Sequence, residues 1–227
     1  MKKIVIVVLT LLVLLPLNIA YAQYGNTSGN MFYGDFKPVV GKWSEYQITT
    51  SGNAPSKMKV AIVGKEGNAY WYETIIEGKR EGQIITKTLV SGDPSDQNNI
   101  KRMIIKRGNE PAMEMPVQMM QQPYTAKAQK PTGKIIDKGK EKIKVPAGTF
   151  STKHTQYKDE NILVDTWVNQ NVSPYGMIKS KSKDHEMVLI GYGSGAKTLI
   201  TETPQKFKMP AMPKGFPKDL MQRKGGY

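Results

Sequence analysis

Four methionines within eight residues, Met113, Met115, Met119 and Met120, are the least ordinary chemistry this sequence offers. A thioether is a soft ligand that suits Cu(I). It is also flexible and polarizable, which makes methionine the adaptable residue of lids and promiscuous apolar surfaces. Met103, Met177, Met187, Met209 and Met212 show that the chain uses methionine widely. An apolar lid is therefore the leading reading of the cluster, and Cu(I) binding is the alternative.

The other reactive groups are sparse. Only two histidines, His154 and His185, and no cysteine are present. They do not supply the three or four ordered ligands that zinc needs. No Gly-x-Ser-x-Gly elbow sets a serine against either histidine. The carboxylate pairs Glu73 with Glu77 and Asp159 with Glu160 fall on strand edges and turns, with no sign of the burial that would tune them as acid and base. Residues 191–195 are glycine-rich, but a strand is expected after them where a phosphate cradle would need a helix, so they read as a hairpin turn. The expectation is a non-enzymatic protein with no catalytic residues, no cofactor and no conventional metal site.

These groups are carried by short segments that alternate in polarity and are cut by turn residues. Met58, Val60 and Ile62 share one face of a strand, with Lys57 and Lys59 on the other. Tyr70, Tyr72, Thr74 and Ile76 repeat the pattern, then come a loop at 77–82 and strands at 83–90 and 100–107, as in an antiparallel meander. Residues 110–132 break the rhythm with four prolines and the methionine cluster, and Pro116 is placed to open a short helix to Gln122. Strands resume at 134–136, 142–145, 149–157, 162–168, 176–180, 187–192 and 198–201. The predicted fold class is all-β with minor α. It is a single strongly curved antiparallel sheet or open half-barrel, with the Met/Pro-rich segment as its lid.

At the N-terminus, Lys2 and Lys3, a long apolar run and Ala20-Tyr21-Ala22 form a secretory signal peptide, with cleavage expected before Gln23. The division that follows is signal peptide 1–22, flexible lead-in 23–39, β domain 40–203 with its insertion at 110–132, and an extended or disordered basic tail 204–227. The mature chain is expected to be soluble, and periplasmic or secreted. Its formal charge, +14 before cleavage, suits an anionic membrane surface or an acidic envelope protein. Nucleic acid is excluded as a partner, because the lysines are dispersed with no arginine cluster and no base-stacking motif.

A longer pattern runs from Val145-Pro146-Ala147-Gly148-Thr149-Phe150 through Trp167-Val168 to Pro174-Tyr175-Gly176-Met177-Ile178-Lys179. With Gly41-Lys42-Trp43-Ser44-Glu45-Tyr46 as a first strand, it resembles bacterial envelope proteins of the LolA/LolB-like superfamily and related families of unknown function. That resemblance implies a half-barrel wrapped around an apolar cavity and closed by a helical lid. The expected function is to bind a lipid-like, apolar or anionic amphipathic ligand in the concave sheet. Met113, Met115, Met119, Met120, Trp71, Phe150 and Trp167 are the candidates for cavity and lid. The alternative is an envelope protein–protein interaction module whose core is filled by its own side chains.

Overall fold

The computed structural model describes residues 35–78, 82–117, 133–160 and 162–207. The expected signal peptide, most of the lead-in, the helix beyond Val117, and the tail beyond Phe207 lie outside the described residues. So do Met119 and Met120.

Alternation and turns do what they predict over most of the chain. The strands are β1 (Trp43–Thr50), β2 (Ser56–Glu66), β3 (Ala69–Gly78), β4 (Gly82–Val90), β5 (Ile100–Arg107), β6 (Met113–Met115), β7 (Lys134–Val145), β8 (Gly148–Lys158), β9 (Leu163–Val168), β10 (Met177–Lys181), β11 (His185–Gly193) and β12 (Gln205–Lys206). All join one open sheet in the order β12-β6-β5-β4-β3-β2-β1-β11-β10-β9-β8-β7. Neighbours are antiparallel except β12, which lies parallel to β6. The β1–β11 pairing joins two runs of hairpins, one on each side. The all-β, open-sheet expectation holds.

Three local expectations are corrected. Residues 134–136 and 142–145 are parts of one strand, because Gly139 makes a bulge opposite β8 instead of a turn. The Pro-rich insertion contributes a strand, β6, paired to β5. Residues 198–201 are not a strand, so 191–195 is not a hairpin turn. Gly193 serves a different purpose: a Cβ there would lie 3.0 Å from the Trp43 ring, which rests flat against this end of β11.

The inner face of the sheet is filled from within. Tyr46, Val60, Ile62 and Leu189 are fully buried there. Past the end of β9, residues 148–152 of β8 have only β7 as a ladder partner, and this hairpin end folds back across β11. The Ala147 amide donates to the Leu189 carbonyl at 3.3 Å, and Phe150 meets Tyr192 edge to face at 5.6 Å. From the other side come Phe36 and Tyr175, whose rings lie 5.3 Å apart and pack against Tyr72. Gly176 closes the tight turn that carries Tyr175 back to β9. It sits at φ +70°, and a Cβ would come within 2.9 Å of the Asn169 carbonyl oxygen.

The outer face is covered as well. Register places Trp71, Glu73 and Ile75 of β3 on the same side as Ile85 and Ile104. The chain from Gly195 to β12 crosses this face and buries Ile200 against Ile75, Ile85, Ile104 and Ala112. Glu73 lies fully buried beneath the crossing. It accepts the Thr198 hydroxyl at 2.6 Å and the Leu199 amide at 3.1 Å.

Candidate functional site

Only part of the predicted constellation comes together. Met113 and Met115 are half-buried on β6, on the inner side, opposite Ile105 and Met103 of β5. These four side chains form an apolar, sulfur-rich stripe on one face, able to offer adaptable apolar contact or soft donors. Phe150 is a buried plug in the core under the β7–β8 end.

Trp71 and Trp167 point to the opposite side of the sheet from the methionines. The Trp71 ring carries Lys87 at 5.0 Å and Arg102 at 5.3 Å, a cation–π stack on the outer surface. Arg102 also donates to Glu114 at 2.7 Å, and that hydrogen bond holds the Glu114 carboxyl below the usual carboxylate range. Trp167 stacks on His154 with centroids 4.4 Å apart and donates its indole N–H to Glu141. Lys179 lies over its other side.

A connected polar group surrounds His154. Its Nδ1 faces Glu141 at 3.0 Å and its Nε2 faces Asp165 at 2.8 Å, and Gln156 donates to the same Asp165 oxygen. Both ring nitrogens are occupied by carboxylates, so neither is left to activate a nucleophile. The other histidine, His185, meets Thr50 Oγ1 at 3.0 Å, at an exposed strand end. Among the described residues no three His, Asp or Glu side chains are disposed to hold a metal ion.

Two clefts flank the 35–38 segment. One of about 190 Å³ is lined by Lys37, Lys153, Thr155, Val168 and Tyr175 among others. The second, about 450 Å³ and more open, is lined by Asp35, Phe36, Pro38, Tyr70 and Asp93 among others.

Sequence reasoning missed both Glu73 and the His154 group. For Glu73 a signal existed: Trp71 and Ile75 on its own face, with Ile85 and Leu89 on β4, mark strands that are apolar on both sides and so need cover on both. For His154, the alternation of β8 sets it beside Thr152 and Gln156, but its carboxylate partners come from other strands.

No protein-family model matches this sequence, and no curated protein matches it. Solved structures give distant likenesses. MucB is 10% identical, with a TM-score of 0.43 over 78% of this chain and 60% of MucB. MucB in complex with MucA(peri) is 7% identical, with a TM-score of 0.40 over 69% of this chain and 51% of that one. A protein described as exported, with a YmcC-like fold, from Bacteroides fragilis is 10% identical, with a TM-score of 0.33 over 71% of this chain and all of its own. The chain thus spans between half and two thirds of the MucB chains it matches.

Proposed function

We propose that the chain is a non-enzymatic binding protein of the bacterial envelope that recognises its partner at the surface of a sheet whose interior is already full. The observation that carries this reading is the closure of the inner face by the chain itself: Val145 and Phe150 from one side, Phe36, Val172 and Tyr175 from the other, joined in one core with Tyr46, Tyr72 and Leu189. A ligand cavity for a drug- or lipid-sized molecule is mostly apolar and encloses it. The larger cleft is open and carries Asp35 and Asp93 on its wall, which disfavours an anionic headgroup. Engagement of both His154 nitrogens by carboxylates supports the non-enzymatic part. The basic leader-bearing sequence supports an exported chain with an acidic partner.

A second reading has its own observation. Met103, Ile105, Met113 and Met115 share one face at the β5–β6 end, where an acyl chain would find adaptable apolar contact.

Native mass spectrometry of residues 23–227, purified from the exported fraction and extracted with solvent, separates the two. Surface binding predicts a ligand-free mass that added phospholipid leaves unchanged. A defined lipid mass released on extraction overturns it in favour of the methionine face.

A further inference from the structure

Strand β7 is built unlike the rest of the sheet. Among the described residues it pairs on one side only, with β8, and ends the strand order. Ten of its twelve residues are exposed, and the one-sided pairing leaves backbone groups along its outer edge for another strand, the Gly139 amide apart, which Asp137 holds. It carries Lys134, Lys138, Lys140, Lys142 and Lys144. Its two acids are already engaged: Asp137 with the Gly139 amide and Lys153, Glu141 with His154 and Trp167. The register even sets Lys134 opposite Lys158 and Lys140 opposite Lys153, like-charge neighbours that cost stability in the free protein.

The same corner holds apolar surface. Ile135 is 71% exposed, with Ile136 at 39% and Ile162 and Leu163 each at 48%. All four lie at the end of β7–β9 where Lys134–Ile136 pair with Gln156–Lys158 and Lys158 with Leu163. Ile135 and Ile136 lie on opposite faces of the edge, as they must to grip alternate side chains of an incoming strand.

We propose that β7 is a docking edge for an extended, acidic segment of a partner protein, added to the sheet as a further strand. This deepens the surface-binding reading above and rests on it. Backbone pairing supplies affinity, and the lysines select acidic sequence. A second copy of this chain is the wrong occupant, because β7 against β7 opposes lysine to lysine. A lipid surface would answer the charge but leave the backbone groups unpaired.

The probe is a fluorescein-labelled ten-residue peptide of alternating valine and glutamate, with its valine–lysine counterpart as control. Both are titrated into residues 23–227 by fluorescence anisotropy. The acidic peptide alone should bind, more weakly as salt rises. Reversal of Lys138, Lys140 and Lys142 to Glu should weaken it by about tenfold or more. Reversal of the exposed Lys57, Lys101 and Lys183 should change affinity by less than about twofold once long-range attraction is screened. Hydrogen exchange should slow on binding within residues 134–145. Equal losses in the two triple variants, or binding without slowed exchange in β7, overturns the proposal. So does an edge already protected in the free protein, which assigns it to the chain itself, or a dimer lost in the β7 variant, or protection by phosphatidylglycerol vesicles but not by peptide. Failure here is distinct from failure of the surface-binding reading, which a lipid mass bound to the chain would sink.

Discussion

Glu73, from β3, and Glu202, from the crossing segment itself, both fasten that segment to the outer face, and burial makes them unequal. Glu202 meets Lys106 at 2.5 Å with both side chains partly in solvent, the kind of pair that contributes under about 1 kcal/mol. Glu73 has no access to water, and its partners, the Thr198 hydroxyl and Leu199 amide, come from 125 and 126 residues away. Removing the carboxyl leaves those donors without their acceptor, at about 1–3 kcal/mol for each buried group left unmade. Glu73→Ala is therefore expected to cost about 3 kcal/mol by urea denaturation and to speed amide exchange across residues 196–206. Lys106→Ala should do neither. If the two variants cost the same, surface charge holds the crossing segment and the buried hydrogen bonds do not.

The β7–β8 hairpin serves as sheet at one end and as plug at the other, and the difference is testable within one element. Phe150 is 8% exposed in the main core, and Ile135 is 71% exposed on the edge. Phe150→Ala should lower stability by about 3–5 kcal/mol through the cavity it leaves, whereas Ile135→Ala should stay within about 0.5 kcal/mol. Equilibrium denaturation of both variants checks the pair; a tolerant Phe150 site would mean that the inner face is not plugged. This hairpin also marks the boundary of what the sequence makes legible. The alternation of 58–62, 70–76 and 149–157 is local, and it yields strands, faces and the buried Phe150 directly. The Val145-Pro146-Ala147-Gly148 turn is equally plain. Where the hairpin end goes is not, because only the missing β9 partner for residues 148–152 and the contact with β11 decide it. The same holds for Trp71 and Trp167. Their size marks them as packing residues, but the cations and the imidazole that cover them come from other strands. Gly139 reads as a break because a bulge and a turn ask the same residue of a sequence.

On the scale of the whole molecule, a sheet filled by its own side chains should resist deprotonation of its buried phenols. Tyr46, Tyr72 and Tyr175 sit in the core, and burial, aided for Tyr72 and Tyr175 by the nearby Asp93 carboxylate, pushes each phenol far above its ordinary value. The folded chain then retains protons that the unfolded chain releases above about pH 10. Their stabilising effect is complete below that pH and falls as pH rises toward the folded values, by about 1.4 kcal/mol per pH unit for each phenol. Three together give a slope of about 4 kcal/mol per unit, so unfolding should be steep and cooperative in strong alkali. Phenolate absorbance recorded with circular dichroism reads this directly. Tyrosines in contact with solvent should ionise first, with no loss of β-structure. Tyr46, Tyr72 and Tyr175 should ionise in one step, together with unfolding. A smooth titration of every tyrosine, with the β-signal intact, would mean that water reaches the inner face. It would then be a binding cavity, and the methionine stripe beside it would become the place to look for a ligand.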